Sequence, residues 1–411
     1  MNSTCLEGVA ASPSPDPELH LLVPEHDVAN PEVSIVVPAL NEARTMGMFV
    51  DWCQEGLAKA GTVGEVLIVD SSTDASAEIA LSKGARVLKA PKRGLGRAYI
   101  DSLPFIRGTY VIMGDCDCTY DFRELEPFML KFRSGVEFVM GSRFRGRIDP
   151  GSMPPLHRYL GTPVTTWILN LIFSSHFSDI HCGMRGISKR ALIAMGLRSN
   201  SWEYASEMVL KSVHMNLRTD EVPIHFLKDQ DGRLSHHRRS GWFSPWHAAW
   251  INLRAMFVYG AAFFLYRPGI VFTILGLALL LPLTFGPITV GPITFSIHWM
   301  LLGLTMATLG LQSMYLGILA QVFFDYDGSV TRRWFARFPY SRCVALAGAT
   351  FLAGLLVDIG FLVYYLSHGL HLADTSASYL GVTGLFLMIA GFVTFTFTLL
   401  LHATAVVVWR R

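Results

Sequence analysis

Asp115 and Asp117 stand one residue apart in Met113-Gly114-Asp115-Cys116-Asp117, directly after the apolar run 109–113. Two carboxylates so spaced at the end of a buried strand form a claw for a hard divalent cation, and such a cation holds a diphosphate. Solvated loops often contain a D-x-D by chance. Its place at a strand end, followed by Thr119, Tyr120 and Asp121, gives this one weight. Two further polar clusters resemble it in position: Pro38-Ala39-Leu40-Asn41-Glu42 and Asp70-Ser71-Ser72-Thr73-Asp74. Singly, Asn41-Glu42 and Thr73-Asp74 read as helix N-caps. Three polar clusters converging on one rim are hard to explain as fold punctuation.

Short β-branched runs must position these clusters. The pattern predicts strands at 33–37, 65–69, 86–88, 109–113, 137–140 and 221–226, with amphipathic helices at 42–60, 74–83 and 95–106. Alternating β and α elements with continuously apolar strands imply a largely parallel α/β sheet covered on both faces. Ligands of such sheets sit at the carboxyl ends of the strands, where the three clusters fall.

Of the 411 residues, 51% are hydrophobic and only 16% charged, too apolar for an ordinary soluble chain. The excess lies in four spans, near 268–285, 297–324, 343–366 and 379–408. Each is long enough to cross a hydrocarbon core of ~30 Å at ~1.5 Å per residue. Arg332, Arg333, Arg337 and Arg342 lie between the second and third spans, and the chain ends in Arg410-Arg411, whereas loops 286–296 and 367–378 contain no Lys or Arg. The positive-inside rule puts the arginine-bearing sides, both termini and the N-terminal region in the cytosol, in a multi-pass protein of the plasma (inner) membrane. Residues 1–31, with no basic n-region and no apolar core, read as a disordered tail rather than a signal peptide. Residues 32–240 then form the α/β domain, 241–266 an interfacial segment and 267–411 a four-helix transmembrane domain. In the interfacial segment Trp242, Phe243, Trp246, Trp250 and Arg254 suit an amphipathic helix lying at the membrane surface.

The six cysteines lack framework spacing and fit a reducing compartment. Cys116 and Cys118 with His181-Cys182 match no structural zinc spacing. His181 and His157 read as hydrogen-bonded structural residues. A net charge of +2 with no basic stripe gives no sign of nucleic-acid binding. Homo-oligomerisation is left open.

The ordered segments PALNE, VDSSTD and GDCDCTYD resemble family 2 glycosyltransferases with a GT-A (Rossmann-like) fold. GSRFRGRIDPGSMP, SDIHCGMRG, WEYASEMV and DGRLSHHRR are similar to the polyprenyl-phosphate branch, with its dolichol-phosphate mannose synthases and bacterial polyprenyl-phosphate glucosyltransferases. The resemblance covers about residues 33–242, and members of that branch often carry C-terminal membrane helices. It implies Pro38, Glu42 and Asp70 at the nucleotide, with Ala39, Leu40, Asn41, Ser72, Lys92, Gly94 and Cys116 lining the nucleotide sugar. It also implies Asp115 and Asp117 at a Mg²⁺ or Mn²⁺ ion. Leu40 stands where the family usually has an aromatic residue, and Ser71 where it has a second acid.

A polyprenyl phosphate acceptor is already anionic at pH 7, its second pKa being about 6. Such a nucleophile needs no catalytic base, only a cationic clamp. Arginine suits that task because its planar fork grips phosphate bidentately and keeps its charge. Arg143 and Arg158 match family positions assigned to the acceptor phosphate, with Arg185 and Arg239 as further candidates, while Arg145 and Arg147 read as solvated or headgroup-paired. Lys92-Arg93-Gly94-Leu95-Gly96 opens the third helix and either presents amides to the diphosphate or is a plain turn. Glu203 and Glu207, one helical turn apart, position the sugar or pair with Arg185.

The expected activity is inverting, metal-dependent transfer of a monosaccharide from a UDP- or GDP-linked sugar (UDP-glucose first, GDP-mannose second) to a polyprenyl phosphate. The rival enzyme is a processive polysaccharide synthase. Its Q-x-x-R-W acceptor motif fails here, because Val330 precedes Arg333-Trp334 where Gln is required. A transporter with a degenerate nucleotide module is disfavoured, since the first three spans hold few ionisable residues beyond Asp358 and His298.

Overall fold

A computed structural model describes residues 16–201, 203–229, 250, 254, 257–325, 328–371 and 376–408. The chain divides into two units, Met1–Met256 and Phe257–Arg411.

The first unit is built on an eight-stranded mixed sheet with spatial order β1-β4-β3-β2-β5-β7-β6-β8. The strands are β1 His20–Leu22, β2 Val33–Ala39, β3 Gly64–Asp70, β4 Arg86–Lys89, β5 Tyr110–Met113, β6 Phe138–Ile148, β7 Arg185–Ser188 and β8 Thr219–Phe226. The helices are α1 Ala43–Lys59, α2 Ser76–Ser82, α3 Leu95–Ser102, α4 Glu126–Arg133, α5 Thr162–Phe173, α6 Lys189–Met195 and α7 Glu203–His214. Strands β4, β3, β2 and β5 are mutually parallel, as expected. Their Val, Ile and Leu side chains are buried almost without interruption because helices cover both faces.

Three features depart from the expected sheet. Strand β7 is inserted between β5 and β6, antiparallel to both. Strand β6 runs on to Ile148, with a register shift between Ser142 and Arg147 where it pairs with β8. Residues 16–31, expected to be a disordered tail, instead supply β1, paired antiparallel to β4. Arg93 forms ion pairs with Asp16 and Glu18, and Arg107 grips Asp27 bidentately. Those arginines lie over seventy residues downstream, which is why composition alone misses the ordering.

At the amino ends of the strands, buried Glu65 accepts from Ser34 Oγ at 2.5 Å, Arg86 at 2.8 Å and the Arg107 side chain at 2.7 Å. Burial alone would raise the Glu65 pKa, but these donors hold it below the ordinary value. This ionic knot braces the rim opposite the polar clusters.

The second unit contains α8 Ala261–Leu283, a hairpin of β9 Ile288–Val290 and β10 Ile293–Phe295, α9 Ile297–Phe323, α10 Ser329–Arg337, α11 Tyr340–Ser367 and α12 Ser376–Val408. Helices α8, α9, α11 and α12 are long and apolar enough to cross a membrane. Helix α8 begins at Ala261, so the end of the segment assigned to the interface belongs to the first span, and Pro268 lies inside it. Trp242, Phe243 and Trp246 lie outside the described residues, whereas Trp250 is exposed. Gly269 and Gly276 of α8 pack against α9 so closely that a Cβ would fall 2.4 Å from Met314 N and 2.2 Å from Ala307 N. Close backbone approach through small residues is how helices associate where lipid offers no hydrophobic drive.

Candidate functional site

The register of the parallel strands puts Ala39, Asp70 and Lys89 side by side at their carboxyl ends, with β5 ending at Met113 on the same rim. The first two polar loops are laced together. Asn41 adopts the left-handed conformation (φ 59°), its amide donates to Ser72 Oγ at 2.7 Å, and its Oδ1 accepts from the Thr73 amide at 2.9 Å. The buried Glu42 donates its amide to Ser76 Oγ at 2.9 Å. Asp74 caps two helices at once, Oδ2 accepting from Ala43 N of α1 and Oδ1 from Ser76 N of α2. Burial opposes its ionisation, yet these bonds lower its pKa. The capping role anticipated for this cluster is real, and it coexists with a buried Asp70 that accepts from Lys89 Nζ at 2.8 Å and from Ser72 N at 3.3 Å.

The Asp115-Cys116-Asp117-Cys118 segment alternates: both carboxylates are half-buried and both thiols buried. Cys116 Sγ donates to Pro38 O at 3.5 Å and Cys118 Sγ to Thr45 O at 3.8 Å, tying the segment to the end of β2 and to α1. Asp117 Oδ1 accepts from Thr119 N at 3.0 Å and Thr119 Oγ1 at 2.6 Å, which fixes the carboxylate's orientation. Tyr99 donates its hydroxyl to Gly114 O at 3.0 Å and stacks on Tyr204 with centroids 5.0 Å apart. Burial, and then the charge of Asp115, push the Tyr99 pKa well up. Beside Asp115 lies Gly183, whose amide donates to Tyr120 Oη at 2.8 Å; a Cβ there would fall 2.9 Å from Asp115 Oδ2. A residue without a side chain thus keeps one flank of the carboxylate open. The donor set is carboxylate oxygen, with the thiols turned inward, which fits a hard cation.

Among the described residues the His181 and Cys182 side chains are each engaged by a neighbour. His181 Nε2 bonds Thr165 Oγ1 at 2.9 Å, and burial lowers its pKa to about 4. Cys182 donates to Met184 O, and burial pushes it up to about 12. Asp121, Glu124 and His225 also lie close enough to share an ion, but Asp121 is gripped by Arg123 and His225 by Asp149.

The cationic candidates separate sharply. Arg143, expected as an open phosphate clamp, has its fork occupied: Nε and Nη2 donate to the two oxygens of Asp179 at 2.7 and 2.8 Å, and its amide adds a third bond. The Asp179 side chain is fully buried. Burial opposes the Arg143 charge, but Asp179 outweighs it and raises the pKa. Arg185, also expected at the phosphate, is buried and braces two carbonyls, Ala205 O at 2.9 Å and Cys182 O at 2.5 Å. Arg145 pairs with Glu221 and Arg147 with Asp149. Arg158 lies in a π-helical turn, His157–Gly161, with its guanidinium over the Tyr159 ring and no ion pair among the described residues. Such turns are frequent at functional sites. Arg239 lies outside the described residues.

Glu207 does not pair with Arg185. It bonds Lys211 at 2.7 Å and accepts from the amides of Arg198 and Ser199, and these donors, against burial, lower its pKa. Glu203 keeps one buried oxygen without a hydrogen-bond partner among the described residues. Lys92 is exposed, while Gly94 (φ 114°) packs so tightly on Asn200 O that a Cβ would approach to 2.2 Å. Asn200 O also takes the Arg97 amide in the first turn of α3, so close packing accounts for the glycines.

Comparison with known proteins agrees with this architecture. Residues 34–196 match the family described as glycosyl transferase family 2, and residues 318–405 its C-terminal transmembrane region. The chain is 34% identical over 342 residues to the low-salt glycan biosynthesis hexosyltransferase Agl6 of Haloferax volcanii, covering 82% of this chain and 80% of the relative. It is 30% identical over 203 residues to the glycosyltransferase AglJ of the same organism, covering 49% of this chain and 64% of that one. It is 26% identical over 196 residues to that organism's dolichyl-phosphate hexose transferase, covering 47% and 82%. The chain belongs to glycosyl transferase family 2, as a membrane glycosyltransferase with a GT-A-type catalytic unit.

Proposed function

We propose that the protein transfers a monosaccharide, with inversion, from a nucleotide sugar to a polyprenyl phosphate. The observation that carries this reading is the state of the acids downstream of the Asp115–Asp117 segment. There Glu203 keeps a buried oxygen without a partner among the described residues, and the other buried acids are held by cations. Asp179, Glu207 and Glu221 are each held by a cation. None is poised as a general base, and an acceptor that is already an anion needs none. A relative named dolichyl-phosphate hexose transferase and four membrane-length helices support the same acceptor. Asp115 and Asp117 would hold Mg²⁺ or Mn²⁺, which when bound neutralises the departing diphosphate as a Lewis acid. Pro38, Asn41, Glu42, Asp70 and Ser72 line the nucleotide side. Arg158 receives the lipid phosphate, Arg143 fixes the 175–182 segment through Asp179, and the partnerless oxygen of Glu203 takes a sugar hydroxyl. UDP-glucose is the first donor and GDP-mannose the second.

Membranes containing the protein, incubated with polyprenyl phosphate and a panel of radiolabelled nucleotide sugars, should move label into the organic phase from one donor. Label accumulating instead in a water-soluble or insoluble polymer would replace this reading with a polysaccharide synthase.

The catalytic unit and both termini face the cytosol in this reading. A cysteine introduced at Pro287 should react with an impermeant reagent added outside, and one at Arg337 should not. Labelling of Arg337 from outside would invert the placement.

A further inference from the structure

The short helix α10, between the second and third spans, has two opposite faces. Thr331 and Trp334 are buried, with Val330, Phe335 and Phe338 packed around them. Arg332 and Arg333 are exposed on the other side, Arg337 is exposed at the boundary with its guanidinium 6.0 Å from the centre of the Trp334 ring, and exposed Arg342 follows in the first turn of α11. Spacings of three and four residues put Thr331, Trp334, Phe335 and Phe338 on one face.

The buried face is fastened at several points. The Trp334 indole N–H donates to Gln321 Oε1 of α9 at 3.1 Å, and its ring lies 5.8 Å from that of Tyr266 in α8. The Thr331 amide donates to Asp325 at 2.6 Å, and His402 Nε2 of α12 meets Phe338 O at 3.0 Å. The helix is therefore bound to three of the four spans and carries its arginines on a rigid support.

Solubility alone would be served by mixed charge. Residues 328–345 contain no Asp or Glu, and among the described residues none of the four arginines forms an ion pair. We infer that α10 and the start of α11 form a docking surface for the phosphate headgroups of anionic bilayer lipids. The connections between spans place this surface at a bilayer face, where headgroup phosphates lie, and cationic segments there attract anionic lipid. Guanidinium forks match phosphate geometry. The helix joins the second and third spans at one end of the bundle.

The test is native mass spectrometry of the full chain in neutral detergent, titrated with equal amounts of phosphatidylglycerol and phosphatidylcholine. The wild type should retain phosphatidylglycerol with about tenfold preference. R332Q/R333Q/R337Q should reduce this to within about twofold, while the corresponding triple lysine variant keeps most of it because net charge persists. Raising salt from about 0.1 to about 0.5 M should weaken the wild-type preference by screening. Should the triple glutamine variant not stay monodisperse, R333Q and R337Q singly should each show a partial loss. Unchanged preference in the glutamine variants would overturn the proposal. Displacement by millimolar inorganic phosphate would overturn it too, in favour of a soluble phosphate, as would stronger retention of polyprenyl phosphate than of phosphatidylglycerol.

Discussion

Asp117→Asn should lower transfer at least about a hundredfold, equivalent to ~2.7 kcal/mol of barrier, while leaving the protein folded. The substitution removes an anionic oxygen from a hard-cation site and keeps the side chain's size. The bonds that fix Asp117 survive it, since an amide Oδ1 still accepts from Thr119 N and Oγ1. Loss of activity would therefore report on metal and diphosphate rather than on the loop. Chelator should abolish wild-type transfer, and added Mg²⁺ or Mn²⁺ should restore it. Full activity in excess chelator would remove the metal from the mechanism. Thermal unfolding of the variant, recorded alongside, should be unshifted.

The parts of the catalytic unit that were legible in sequence are those whose physics is local. Strands β2 to β5 announce themselves because burial on both faces leaves unbroken apolar runs, and their ends carry the polar clusters. Strand β7 does not. It has four residues, opens with the buried Arg185 and includes Gly186, so it has neither alternation nor an apolar run. Strand β1 is an exposed edge held by Arg93 and Arg107, partners no local window contains. The first span begins seven residues before Pro268, at Ala261, because a proline that reads as a helix start is accommodated near a membrane-helix end by its neighbours.

The same divide runs through the site. Asp115 and Asp117 were readable as a pair because their geometry follows from one loop. Arginines were readable as cations but not as paired or unpaired ones. Arg143 and Asp179 are 36 residues apart, and only the packing of β6 against the 175–182 segment brings them together. Asp179 itself stood in the SDIHCGMRG segment without a distinguishing spacing. Glu207 is the opposite case, since Lys211 stands four residues on and helical spacing alone points to that pair.

Arg143 and Arg158 should separate when each is replaced by alanine. Arg143→Ala strands the carboxylate of Asp179, whose side chain is fully buried. Removing one partner of a buried pair typically costs ~3–5 kcal/mol, so the melting temperature should fall together with activity. Arg143→Lys should also be harmful, because an ammonium keeps the charge but loses the two-point grip. Removing Asp179 as well should recover part of the stability, as a double-mutant cycle would register. Arg158→Ala breaks no ion pair among the described residues, so stability should hold while lipid turnover drops. Nucleotide-sugar affinity, measured by calorimetry without lipid, should stay nearly unchanged. If Arg158→Ala instead weakened donor binding and left lipid turnover intact, the phosphate assignment would fail. Glu203→Gln completes the separation. As a sugar contact, Glu203 should affect donor affinity with no change in the pH profile of turnover. If its loss abolished turnover, left donor binding intact and were rescued by small exogenous bases, the acceptor would be a hydroxyl needing a general base, and chain-building synthesis would displace lipid glycosylation as the reaction.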